Sequence, residues 1–242
     1  MKEKKYYCSN KPYAKHKHPY IIYHTVYFLF NVFVPKFKIN YKQKLEGLNI
    51  YVANHSKVFG VLFAAKWLRK DTRIWAEADL CFHKTAPRYM INNFFGGKKI
   101  YWPLAILLTP LIVGILRGAK VIPVYRDARL ITTYKKTIET LKEGKNVLLF
   151  AENPERYNKY INDLNKGFVE VGRMINKYMK QDINFVPMYI AWTIRETGVG
   201  NPITFDNTNK YRDEVERITA YIKDEMTSLA ESMPEHKVIN FN

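Results

Sequence analysis

The sequence predicts an α/β fold, a mixed and mainly parallel sheet flanked by helices, with a membrane-associating helix at the amino terminus. Three observations lead there. From residue 49 onward, short apolar runs rich in β-branched residues alternate with segments of helical periodicity, the pattern of strands joined by helical crossovers. Glycine punctuates the joins, as at Glu143-Gly144-Lys145 just before NVLLF, where a left-handed residue closes a helix. The 242 residues, 47% hydrophobic and 25% charged, suit one large domain with an appendage and exclude a disordered, collagen-like or coiled-coil chain.

Taken in order, the first 17 residues are basic and aromatic with little apolar periodicity, an arm suited to an anionic surface. Between Lys17 and Lys36 no residue carries a formal charge. These 18 residues fall short of the ~20 of a comfortable membrane span. His24 and Asn31 interrupt them, and their tyrosines favour the headgroup region, which predicts an interfacial or half-inserted helix. The chain thus divides into a membrane-associating segment, 1–40, and an α/β domain, 41–242. Strands are expected at NIYVAN, RIWAEA, KVIPVY, NVLLFA, NFVPMYIAW and PITF, and helices over about 57–69, 103–117, 129–143, 166–180 and 208–231. The second uncharged run, from Ile100 to Leu116, reads as a core helix. Pro103 suits its first turn, and Pro110 implies a kink or two short helices.

Thirty-nine lysines and arginines against 22 acids give a net charge of +17, which draws the chain toward polyanions. Nucleic acid is the weaker partner, because the basic residues are scattered and the aromatics cluster in one apolar segment. Neither a GxxxxGK[ST] phosphate loop nor a GxGxxG fingerprint is present. His16, His18, His24 and Cys8 lack the spacing of zinc ligands, so no metal is expected. Cys8 and Cys81 form no disulfide framework, and no cleavage site follows the first apolar run. The expected location is the cytoplasmic face of the cell membrane, with the chain peripheral or monotopic.

The stretch NHSKVFG follows an apolar strand and opens a helical pattern, placing Asn54 and His55 at a strand-to-helix corner. Such corners are where α/β proteins bind ligands, and an imidazole there can serve as a general base near neutral pH. Later blocks extend the pattern: PLIVGIL, VIPVYRD ending in Arg126, FAENPER, NKGF, VPMYI and GNPITF. In this order, over residues 50–205, the chain resembles the glycerolipid acyltransferase family that includes the lysophosphatidic acid acyltransferases.

The resemblance implies that His55 is the base that deprotonates a glycerol hydroxyl for attack on an acyl thioester. It implies that Arg126 binds the acceptor phosphate, for which a planar guanidinium is suited. In FAENPER, Glu152 matches and would organise the site; Asn153 stands at the family's glycine, and Arg156, displaced by one residue, would contact the phosphate. Lys166 and Gly167 resemble the Lys-Gly whose helix amides help to hold an anion. The main departure is Gly60, which stands where the family has an aspartate. A carboxylate on the far imidazole nitrogen fixes the tautomer and stabilises the imidazolium. Glu77 and Asp79 are the candidates to replace it.

The implied function is transfer of a fatty acyl group to a lysophospholipid-like hydroxyl. The donor is acyl-CoA or an acidic acyl carrier protein, the partner surface is an anionic membrane, and no cofactor or nucleic acid is required. The departures at Gly60 and in FAENPER motivate an alternative: a catalytically degenerate member that binds lipid or acyl chains, or a member with an unusual acceptor.

Overall fold

The structure, a computed structural model, describes residues 24, 25, 28, 36–55, 71–153 and 159–239. Eight strands form one sheet: β1 (Lys38–Tyr41), β2 (Asn49–Ala53), β3 (Thr72–Glu77), β4 (Ile122–Val124), β5 (Asn146–Phe150), β6 (Asn184–Ala191), β7 (Glu196–Val199) and β8 (Ile203–Thr204). Their order is β1-β7-β6-β2-β5-β3-β4, with β8 added on β6. The pairs β2/β5, β2/β6, β3/β5, β3/β4 and β1/β7 are parallel. Among the described strands, the pairs β6/β7 and β6/β8 are antiparallel. The expected mixed, mainly parallel sheet is therefore the observed one.

Every residue of β2 is buried, as a central parallel strand covered on both faces must be. Alternation then sorts the core into two layers. Ile50, Val52, Val147 and Leu149 pack on one face, with helices α3 (Leu130–Lys142), α4 (Val169–Met179) and α5 (Tyr211–Glu231) contributing Ile138, Ile175 and Ile222. Tyr51, Ala53, Leu148 and Met188 face the opposite layer. Gly144 closes α3 with φ +73°, a conformation that glycine reaches without steric cost. Gly172 in α4 serves another purpose. A Cβ there would stand 2.9 Å from the Phe185 ring and 3.0 Å from Phe205, so its absence sets how closely α4 approaches the sheet.

Three elements escape the pattern reading. The helix α1 (Ala86–Asn93) is short, and the edge strand β1 and its neighbour β7 spell KINY and ETGV, too polar for an apolar run to mark them. One expectation is overturned. The helix α2 (Trp102–Gly118) is continuous through Pro110, and it is not a core helix. Only its stripe of Ala105, Thr109, Val113, Gly114 and Gly118 is buried. Apolar residues encircle it, so periodicity gives no buried face, and packing has selected the small residues that allow close approach. The helix expected at the amino terminus lies almost wholly outside the described residues; within its stretch only His24, Thr25 and Phe28 are described, and they are helical and exposed. The helix expected over about 57–69 lies outside them as well.

The sheet parts at one place. β3 pairs with β5 over Thr72–Ile74 and with β4 over Trp75–Glu77. The strand thus changes partner halfway, opening the sheet between β5 and β3 at its carboxyl end.

Candidate active site

At the carboxyl end of β2 the chain leaves the sheet through Asn54 and His55. The Asn54 carboxamide is buried and continues the β2/β6 ladder one step beyond Ala53↔Met188. It accepts the Ile190 N–H at 2.7 Å and donates to the Ile190 carbonyl at 3.2 Å. A side chain that imitates backbone fixes where the next residue turns. His55 follows on the Tyr51/Ala53 face, its ring meeting Phe150 edge-on with centroids 5.5 Å apart. Burial disfavours the imidazolium and lowers the His55 pKa to about 4. The ring is neutral at physiological pH and able to accept a proton.

Glu152 lies just past β5. Its Oε2 accepts the main-chain N–H of His55 at 2.7 Å and its Oε1 that of Asn162 at 2.8 Å. Burial raises the Glu152 pKa, while these two donors favour the carboxylate and act the other way. The segment 161–165 folds back over the end of β5. Glu152 and Leu164 form an antiparallel bridge, Asn153 donates to the Asp163 carbonyl at 2.8 Å and Asn165 to the Ala151 carbonyl at 2.7 Å. The Asn153 carbonyl accepts the Asn162 amide group at 3.1 Å. Asn153 thus contributes its main chain, and Glu152 is the pin that holds the His55 backbone to this layer.

Arg126 stands beyond β4, three strand positions from β2 in the sheet order, or about 14 Å at ~4.8 Å per strand. Its guanidinium grips the Glu77 carboxylate through Nε at 3.2 Å and Nη2 at 3.0 Å, and its side chain remains 80% exposed. This replaces one expectation: Glu77, a candidate to orient the imidazole, is held by Arg126, while the neighbouring Asp127 pairs with Arg129. Glu77 also continues the parity of Trp75, which packs on the face opposite His55. Lys166 pairs with Glu216 on α5. The Gly167 amide bonds to the Asn165 side chain at 3.0 Å and its carbonyl accepts the Tyr134 hydroxyl at 2.9 Å. Arg156 and Gly60 lie outside the described residues.

No protein-family model matches the chain, and no curated protein matches it in sequence. Among solved structures it is similar to the 1-acyl-sn-glycerophosphate (LPA) acyltransferase PlsC from Thermotoga maritima, with a TM-score of 0.50 and 10% sequence identity. The match covers 90% of this chain and 81% of that one. The likeness is one of fold. At this identity no residue role transfers with it.

Two groups beside the site carried no sequence signal. Asn162 is buried but reads in NDLNKGF as an ordinary turn residue. Tyr189, adjacent to Ile190, bonds through its hydroxyl to the His236 ring at 3.0 Å, and Tyr160 stacks on the same ring. These contacts bring the carboxyl-terminal stretch to the flank of the sheet's working end. Among the described residues no group of three or more His, Cys, Asp or Glu is placed to hold a metal ion. Cys81 is buried, and burial pushes its thiol pKa up to about 12, which suits packing better than nucleophilic chemistry.

Proposed function

We propose that the chain transfers a fatty acyl group from a thioester, acyl-CoA or acyl carrier protein, to the hydroxyl of a lysophospholipid-like acceptor such as a 1-acylglycerol-3-phosphate, at an anionic membrane surface. One observation carries the proposal: a half-buried imidazole, His55, at the carboxyl end of the central strand, its pKa lowered by burial and its backbone pinned by Glu152. Carboxyl ends of parallel strands are where this fold class works on ligands.

His55 takes the proton of the acceptor hydroxyl as its oxygen bonds to the thioester carbonyl carbon. The tetrahedral intermediate then collapses, the carbon–sulfur bond breaks, and the thiolate leaves with the proton returned by the imidazolium. With a pKa of about 4, His55 in the free protein is a weak base. The phosphates of acceptor and donor, once bound, favour the imidazolium and raise that pKa in the complex. Arg126, open to solvent, would anchor the acceptor phosphate only by swinging its side chain off Glu77 and toward β2, with Arg156 as a second contact. Lys166 and Gly167 would reach that phosphate only by exchanging Glu216 and Asn165 as partners.

The placement of the carboxylates favours a second reading. Glu77 is held by Arg126 and Glu152 by two main-chain amides, and Gly60 replaces an acidic residue in the resembling pattern. A scaffold retained for binding lipid or acyl chains would look the same. Thiol release from acyl-CoA by the detergent-purified chain, with and without a panel of lysophospholipids, separates the two. Transfer predicts acceptor-dependent release that is lost in His55→Ala. Acyl-CoA binding without release in the wild type, together with release by Gly60→Asp, would identify the binding scaffold.

A further inference from the structure

Helix α2 turns its small residues inward and its large ones outward. Beside the buried stripe of Ala105, Thr109 and Val113, Leu107 is 74% exposed and Leu111 42%. The approach to the helix continues the same surface, with Ile100 81% exposed and Phe94, Tyr101 and Trp102 also exposed. A soluble helix normally hides such residues, and an apolar patch of this kind marks an interaction site. Its inner side is anchored apart from the main core, in a small cluster of Met90, Ile91 and Ala105. Farther along, Leu116 and Ala119 pack under the sheet.

Charge identifies the occupant. From Leu80 through Arg126 there is no acidic residue, whereas seven are basic: Lys84, Arg88, Lys98, Lys99, Arg117, Lys120 and Arg126. Lys84, Arg88, Lys98 and Lys99 are exposed beside the apolar face. Lysines next to tyrosine and tryptophan at the border of a leucine-rich surface suit a bilayer, where aromatic rings settle at headgroup depth and lysines meet anionic lipid.

We propose that this face docks the chain on an anionic bilayer, with α2 lying in the headgroup and upper acyl region. The proposal rests on the membrane partner named above and specifies where it binds. Length and composition alone would let Lys99–Gly118 cross a membrane, but the second half of the helix is committed to the protein through Val113, Gly114 and Gly118. Docking in the interface keeps that packing. It also turns the correct end toward lipid, because α1 and α2 form the crossover from the carboxyl end of β3 to the start of β4. The exposed first half of α2 therefore lies on the side of the sheet where β2 delivers His55.

The test uses the full chain carrying Cys8→Ser and Leu107→Cys, labelled at residue 107 with an environment-sensitive dye, and vesicles of phosphatidylcholine with or without phosphatidylglycerol. A blue shift on the anionic vesicles is expected, with none for the same label placed by Lys142→Cys on the far layer. In unlabelled protein, the exposed-site variant Ile100→Glu/Leu107→Glu should lower vesicle partitioning by roughly tenfold or more. Lys98→Glu/Lys99→Glu should lower it by roughly tenfold on the anionic vesicles alone. Circular dichroism verifies that each variant is folded. Vesicle binding with a silent label and unchanged partitioning of the glutamate variant would move docking to another segment and overturn the proposal. So would absence of vesicle binding, or a concentration-dependent shift without lipid, which would mean that a second copy covers the face. His55→Ala should dock like the wild type, so failure of acyl transfer and failure of docking are distinguishable.

Discussion

His55 and Glu214 respond to acid in the same direction for opposite reasons. The folded His55 pKa, about 4, lies below the ordinary ~6.5, so the unfolded chain takes the proton first. Stability is unaffected above pH 6.5 and falls as pH drops from there toward 4. Glu214 is fully buried; the Arg217 pair, with help from the Asp206 and Asn209 donors, lowers its pKa to about 2. Its contribution is present above the ordinary ~4.5 and disappears as pH falls from 4.5 toward 2. Thermal unfolding followed by circular dichroism should therefore lose stability in two windows. His55→Gln should shrink the upper one, to which His83, also lowered by burial, contributes the remainder. Glu214→Gln should remove the lower one and cost about 1–3 kcal/mol at neutral pH. The placement of His55 and Glu152 at neighbouring strand ends was legible because each follows an apolar run. The task of Glu152 was not, because it exists only once 161–165 folds back over β5. Glu214 reads in sequence as one more charge on a polar helix face.

At the scale of elements, the contact between α4 and β6 is one of the closest in the fold. Gly172→Ala must displace the Phe185 ring or lift the helix, and overpacking of this kind costs about 1–3 kcal/mol. Urea unfolding should show a lower midpoint with an unchanged slope. Across the sheet, Arg126→Ala should raise the KM for a phosphate-bearing acceptor roughly tenfold and leave that of the donor unchanged. Steady-state kinetics with acceptors that differ only in the phosphate would check it. The buried strands β2, β5 and β6 were readable because burial on both faces demands unbroken apolar runs. α2 was misread for the complementary reason. Uniform apolarity marks a helix hidden from water, and protein and lipid hide it equally well. The strands β1 and β7 stayed invisible because each is four residues long and owes its structure to its partner.

At the scale of the molecule, a net charge of +17 makes association with anionic surfaces dependent on ionic strength. Screening shortens its reach from ~10 Å at 0.1 M salt to ~3 Å at 1 M. Partitioning onto phosphatidylglycerol vesicles should fall steeply between about 0.05 and 0.3 M NaCl, as cosedimentation would show, and the apolar contribution should survive on neutral vesicles. Topology adds a temporal dimension. The edge strand β1 finds its partner only in β7, with Asn40 and Glu196 156 residues apart in the chain. At ribosomal speeds of ~5–20 residues per second, that partner emerges about 10–30 s after β1 does. Throughout that interval the leading apolar stretch is tethered to an unfinished sheet. His55, Arg126 and Glu152 thus all leave the ribosome before the sheet that positions them can close at its β1 edge.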